Sequence, residues 1–265
     1  MLLREVGYAR PGSLGEAIEL LAADEGARAL AGGQTLINVM KARAGSPDAL
    51  IDLGGIEELK GIELGTDGTL EIGAMATYTQ LVESSEARAR PIIGEVCAQI
   101  ADVQVRNRGT IGGNLCTSDP TNHLPPLMAA LGAQMTIAGA SGERTVPAAE
   151  FFLGVYVTAV GPGEVLTKIT VPAGRGDGFA AVTLGVDGSC IACAAASVNG
   201  GVTIALGCVD AVPVLLHPAS ADAEAVREAV LGAQLDPPSD VHASSEYRTH
   251  LAGVLAVRAV NQAGS

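Results

Sequence analysis

Two short segments concentrate the residue types that can hold an anionic ligand. One is A-G-G-Q-T-L at Ala31–Leu36. The other is R-N-R-G-T-I-G-G-N-L-C-T-S-D-P at Arg106–Pro120. Each sets adjacent glycines beside side-chain donors, Gln34 and Thr35 in the first, Thr110 and Asn114 in the second. Paired glycines read as loop, because they carry no side chain to pack and lose most backbone entropy on folding. In a loop their bare N–H groups can line a nest for an anion such as a pyrophosphate. One Gly-Gly alone reads as a tight turn. Two, on the two halves of one domain, point to a cofactor gripped from both sides.

Other chemistries find little support. No G-x-x-x-x-G-K-[ST] occurs, and no G-x-G-x-x-G follows the first expected strand, so neither phosphoryl transfer nor a Rossmann dinucleotide site is indicated. The histidines, His123, His217, His242 and His250, are scattered. His217 and His242 read as solvent-facing, and His250 as part of the last helix. No Ser-His-Asp set has a supporting local motif. Lys41 reads as a solvated charge at a helix end, not a base. The cysteines are Cys97, Cys116, Cys190, Cys193 and Cys208, an odd and irregular set that argues against a disulfide framework. Cys190 and Cys193 make a single C-x-x-C without a second pair, which reads as buried strand residues. No catalytic residue and no metal ligands are expected; a bound cofactor would carry the chemistry.

The chain around these segments has 265 residues, enough for one large domain or two smaller ones. Apolar residues make up 48%, which excludes a disordered chain. Aromatics are only 3% against 34 glycines, so the core must be aliphatic with closely approaching backbones. A net charge of −13 argues against a nucleic-acid partner. No signal-like start and no run of about 18 apolar residues is present, so a cytoplasmic protein without a membrane span is expected.

Apolar spacing and turn residues place the elements. Pro11–Ala23 predicts an amphipathic helix, with Ser13 and Glu16 as a capping box. Strands are expected at 28–31 and 50–53, with a helix at 36–42 between them, a small β-α-β pattern. Hairpins are expected at 61–74 and 134–147, helices at 77–82, 91–100 and 125–131, and a strand at 164–172. Ala173–Gly178, A-G-R-G-D-G, reads as a linker. Strands at 179–184, 191–198, 202–209 and 213–216 and helices at 222–231 and 241–260 follow. The fold class is α+β. One domain spans 1–173, in lobes of about 1–55 and 56–173, and a smaller domain of antiparallel sheet plus helices spans 174–265.

A-G-G-Q-T-L followed by R-N-R-G-T-I-G-G-N-L resembles the FAD-binding medium subunit of the molybdenum hydroxylases, the family of xanthine dehydrogenase and carbon monoxide dehydrogenase. Ile51-Asp52-Leu53, Ile72-Gly73-Ala74 with Thr77, Asp119-Pro120 with Leu124-Pro125, Leu166–Pro172, and Tyr247-Arg248 with His250-Leu251-Ala252 extend the resemblance over most of the chain. It implies a two-lobed FAD domain of the PCMH/MurB-like type and non-covalent FAD. Leu30, Ala31, Gly32, Gly33, Gln34, Thr35 and Leu36 would hold the pyrophosphate. Thr110, Ile111, Gly112, Gly113 and Asn114 would close over it, with Ile100 and Leu166 near the flavin ring. It also implies partners: a large molybdopterin subunit, a small subunit with two-iron two-sulfur clusters, and an external electron acceptor.

Two positions depart from that pattern. His123 stands where many members carry an Asp that meets the cofactor. No basic residue occurs in F-A-A-V-T-L-G-V-D-G at Phe179–Gly188, where many carry a Lys near Ala180 and Ala181 and then an Arg pair. A missing cation there would lower the flavin potential, and Ala181→Lys would raise it. Gly112→Val or Gly113→Val is expected to abolish FAD retention while leaving the fold largely intact. Two other readings fit the sequence: an assembly module that lost FAD, and a stand-alone flavin oxidoreductase of the MurB-like class.

Overall fold

A computed structural model of the chain describes residues 3–185 and 188–264. Met1, Leu2, Val186, Asp187 and Ser265 lie outside the described residues, and with them the ends of the two expected domains and two positions of the F-A-A-V-T-L-G-V-D-G run.

The first lobe holds β1 (Gly7–Ala9), α1 (Leu14–Ala23), β2 (Ala27–Leu30), α2 (Leu36–Lys41) and β3 (Ala49–Asp52). Its three strands are parallel, in the order β1-β3-β2. The β-α-β pattern is therefore present, with β1 as an extra edge strand too short to show alternation. Helix α1 starts at Leu14 rather than Pro11, and only half of the expected capping box forms. Ser13 accepts from the Glu16 N–H at 3.3 Å, but the Glu16 carboxylate accepts from Gly12 rather than from Ser13. Ala17 and Leu21 of α1 are buried against Ile51 and Leu53, and Leu59, Met75 and Val165 of the second lobe complete that core.

The second lobe begins with β4 (Ile62–Leu64) and β5 (Leu70–Gly73). Five helices follow: α3 (Tyr78–Glu83), α4 (Pro91–Ala98), α5 (Val103–Arg108), α6 (Ile111–Thr117) and α7 (Leu124–Ala130). Then come β6 (Gln134–Gly139), β7 (Gly142–Pro147), α8 (Ala148–Phe151), β8 (Phe152–Gly154), β9 (Val157–Thr158) and β10 (Val165–Val171). Strands β4-β5-β10-β6-β7 form an antiparallel sheet in that order, so β10 closes the lobe between the two hairpins. At α3 the capping box is complete, Thr77 accepting from Gln80 N–H and the Gln80 side chain accepting from Thr77 N–H.

Arg106–Pro120 corrects the expectation of a Gly-Gly loop. Gly112 and Gly113 lie in the first turn of α6, behind the N-cap Thr110, whose hydroxyl accepts from Gly113 N–H at 3.1 Å. Low helix propensity is overridden by packing. The Gly112 N–H donates to the Ala74 carbonyl at 2.8 Å, and a Cβ on Gly112 would lie 2.6 Å from both that oxygen and the Ala74 Cβ. The glycine lets α6 press on the backbone after β5.

The remainder is a meander, β11 (Asp177–Leu184), β12 (Ser189–Val198), β13 (Val202–Gly207) and β14 (Val214–Leu216), all antiparallel, followed by α9 (Ala223–Gly232) and α10 (Ser245–Ala263). Both faces of β12 are buried. Ala192, Ala194 and Ala196 pack with Leu251, Leu255 and Ala259 of α10, whereas Cys193 and Ala195 belong to the core that includes Leu127 and Met128 of α7. The A-G-R-G-D-G segment is not a free linker. A Cβ on Gly174 would meet Arg90 Nη1 at 2.5 Å, one on Gly176 the Val198 carbonyl at 2.7 Å, and one on Gly178 the Ala259 carbonyl at 2.0 Å. Arg90 and Asp177 form a bidentate ion pair there, at 2.7 and 2.8 Å, with both side chains buried. The fold is α+β, as the sequence predicts.

Candidate functional site

A cleft of about 940 Å³ runs between the two lobes and reaches the β11–β12 turn at Gly188 and Ser189. That is the upper end of the usual range for a small-molecule site, about 300–1,000 Å³. Of the residues singled out from the sequence, Ala31, Gly32, Gly33, Gln34, Thr35, Leu36, Ile100, Thr110, Gly112, Gly113, Asn114, His123 and Leu166 line it. Leu30 and Ile111 do not. Leu30 sits at the end of β2, and Ile111 is wholly buried in the core of the second lobe.

The two glycine segments meet each other. A Cβ on Gly32 would lie 2.1 Å from the Arg108 carbonyl oxygen and 2.8 Å from Gly109 Cα, and one on Gly113 would lie 3.4 Å from Ala31 Cβ. Gly33 adopts φ +72°, which turns the chain from β2 into α2. The glycines thus bring the two walls of the cleft into contact at its floor. Their immediate role is backbone packing, not only exposure of N–H groups to a ligand. The side-chain amide of Gln34 turns back on its own segment, Nε2 donating to the Gly32 carbonyl at 3.0 Å.

Two polar atoms in the lining are buried without a partner, Asn114 Oδ1 and His123 Nε2. Buried polar atoms are almost always hydrogen-bonded, so orphans facing a cavity mark places a ligand can satisfy. Asn114 lies beside Tyr78, another lining residue that the sequence alone does not reveal. Burial raises the Tyr78 phenol above its ordinary value, so it stays protonated. Burial lowers His123 from its ordinary value of 6.5, and its ring lies 5.2 Å from that of Phe179. At neutral pH it is therefore an uncharged donor or acceptor rather than a cation.

Cys116, on α6, also lines the cleft; burial pushes its thiol up to about 12, which leaves no thiolate for a covalent link. Among the described residues that line the cleft, Arg28 is the one basic side chain, and its Nη1 donates to the Glu25 and Ala27 carbonyls. Ala181 does not line the cleft. It pairs with Cys193 on β12 and packs against the core, so Ala181→Lys would insert a cation into packed sheet rather than beside a ligand. The sequence could not reveal Tyr78, Asn122 or Ser189 as lining residues, because each arrives from a different element.

The orphaned atoms and the absence of a basic cluster among the described lining residues fit a neutral ring system joined to a small anionic group better than a polyanion. Comparison with known proteins agrees. Residues 4–174 match the family described as the FAD binding domain in molybdopterin dehydrogenase. The carbon monoxide dehydrogenase medium chain of Afipia carboxidovorans is 40% identical, over 97% of this chain and 96% of that one. The nicotine 6-hydroxylase medium subunit of Paenarthrobacter nicotinovorans is 34% identical over 100% and 99%. In a reconstituted CO dehydrogenase from Oligotropha carboxidovorans, a chain 37% identical superposes with a TM-score of 0.92, over 99% of both chains. The chain belongs to the FAD-binding medium-subunit family of the molybdenum hydroxylases, the flavoprotein components of oxidoreductase complexes.

Proposed function

We propose that this chain is the FAD-binding electron-transfer subunit of a molybdopterin-dependent hydroxylase or dehydrogenase, working in the cytoplasm with a large molybdopterin subunit and a small iron–sulfur subunit. The observation that carries this reading is the pair of unpartnered buried atoms, Asn114 Oδ1 and His123 Nε2, in a cleft walled by both glycine segments. Bound FAD would supply two-electron redox chemistry between the partner's iron–sulfur clusters and an external acceptor. The chain's own residues would hold it. Ala31–Leu36 and Thr110, Gly112, Gly113 and Asn114 form the two jaws, Ile100 and Leu166 supply apolar walls, and neutral His123 hydrogen-bonds without adding charge. Ile111 and Leu30 support the jaws from behind. The FAD unit ends near residue 173, and 174–265 forms a smaller unit that reaches the cleft at Gly188 and Ser189. The relatives are named for carbon monoxide and nicotine, so a shared medium-chain fold does not single out the substrate of the complex.

The test begins with the purified full chain. A yellow protein that releases FAD on denaturation, and whose flavin bleaches when reduced iron–sulfur partner is added, is the expected result. A colourless chain that takes up no added FAD would overturn the reading and leave an assembly module.

A further inference from the structure

Behind the cleft, on the face of the meander that packs against α7, three thiols converge. Cys190 and Cys193 are three apart on β12, a spacing that puts side chains on opposite faces of a regular strand. Here the register with β11 slips between Val182 and Thr183, which pair with Ala192 and Cys190, so Ile191 is an extra residue. This bulge turns Cys190 to the face that Cys193 occupies. Cys208 follows β13 with φ +64°, a left-handed conformation unfavourable for a residue with a Cβ. The three Sγ atoms lie within 4.8 Å of one another, and all three residues are buried. Gly207 permits the approach, since a Cβ there would lie 2.7 Å from Cys193 Sγ.

We propose that Cys190, Cys193 and Cys208 form a binding site for a thiophilic d10 cation of the zinc(II) type. Zinc–sulfur bonds of about 2.3 Å set tetrahedral ligand sulfurs about 3.8 Å apart, a contraction of the cluster that small side-chain shifts supply. Three protein ligands leave one position open. A cavity of about 10 Å³ lies beside Cys208, bordered by Asp119, the Pro120 segment and Asp210, with room for about one water. It would supply the fourth ligand.

Three thiolates around a divalent ion leave a net charge of −1, and Arg248, itself ion-paired with Asp240, lies close by. Arg248 of α10 donates from Nη1 to the carbonyl of the bulged Ile191 and from Nη2 to Asp240 at 2.7 Å, while its buried Nε has no partner. The Cys208 thiol donates to the Pro120 carbonyl at 2.8 Å, a hydrogen bond that metal binding would replace. Binding would release protons from the thiols that become ligands. The sequence reading of Cys190 and Cys193 as plain strand residues lacked Cys208, which only the β12–β13 pairing delivers. The site is separate from the FAD reading and does not rest on it.

The full chain, reduced with a phosphine and freed of metal by chelation, tests this directly. On titration with zinc(II) against a chromophoric chelator it should take up one equivalent. Zinc-edge X-ray absorption should then show three sulfur neighbours. Zinc should also protect the peptides carrying Cys190, Cys193 and Cys208 from alkylation. Cys190→Ser, Cys193→Ser and Cys208→Ser should each weaken uptake at least tenfold, whereas Cys97→Ala should not. The alkylation arm uses the unaltered chain, so it decides the matter even if a serine variant fails to fold. Unchanged alkylation of all three thiols in excess zinc overturns the proposal, as does a disulfide among them in oxidised protein with no zinc uptake after reduction.

Discussion

At the residue scale the cleft is defined by groups that the folded chain alone leaves unsatisfied. Asn114 Oδ1 costs the empty protein free energy that a donor on FAD would recover. Replacing the Asn114 side chain together with the neighbouring Tyr78 hydroxyl, Asn114→Leu with Tyr78→Phe, removes both polar groups at once. The unfolding free energy of the FAD-free chain should stay within about 1 kcal/mol of the parent, while FAD affinity falls about 5- to 100-fold, the loss of one buried hydrogen bond. Paired denaturant and flavin-binding titrations read the two effects separately. Equal loss of stability and affinity would count against a ligand role for Asn114. His123 makes a pH prediction. Burial lowers its folded-state pKa below the 6.5 of the unfolded chain, so below about pH 6.5 the unfolded state binds more protons. Stability therefore rises with pH through that window and is lost as pH falls beneath it. Chemical denaturation at pH 7.5 and 5.5 should show a smaller drop for His123→Asn than for the parent chain.

At the element scale, glycines and a buried ion pair hold secondary structure in register. Gly112 is pressed on the backbone of Ala74, so Gly112→Val should cost about 1–3 kcal/mol or more in stability. It tests packing rather than flavin binding alone, contrary to what an exposed loop would have implied. Thermal unfolding of the FAD-free variant separates the two, and an unchanged Tm would contradict the contact. Arg90, at the N-terminus of α4, ties β11 to the second lobe through Asp177, and Asp177 also accepts from the Ser197 hydroxyl at 3.0 Å. Arg90→Met strands a buried carboxylate and should destabilise by about 3–5 kcal/mol. Adding Asp177→Asn should restore part of that loss in urea titrations. No recovery in the double variant would show that the pair is not coupled.

At the scale of the whole molecule, the cleft is a junction of distinct layers of the fold. A parallel three-stranded sheet supplies one wall, the helices inserted between β5 and β6 supply the other, and the meander reaches its mouth. A ligand held by all of these binds the native state alone. FAD at about 100 times its Kd should therefore add about 2.7 kcal/mol to the unfolding free energy. A single cooperative transition moving to higher temperature is the expected calorimetric trace, and no shift on FAD addition would show that the cleft does not close on the cofactor.

Much of this was legible before the fold was known. Apolar periodicity and turn residues set the two hairpins, the meander and the final helices, because those signals are local. The paired glycine segments marked two walls of the cleft, which thirteen of the fifteen residues named for the site line. Their physical role was not legible. Gly112 and Gly32 are demanded by backbones far away in sequence, at Ala74 and Arg108, and no local pattern records such a contact. The A-G-R-G-D-G segment reads as flexible by composition, yet its glycines are required by neighbours on α4, β12 and α10. Likewise Cys208 joins Cys190 and Cys193 only through a bulge and a left-handed turn. The sequence by itself determined most of the element types, the α+β class and the FAD-binding family, because propensity, period and motif are properties of neighbouring residues. Only the tertiary structure decided which polar atoms are orphaned, which glycines carry contacts and which thiols meet, because burial and close approach belong to pairs of residues that the chain brings together from a distance.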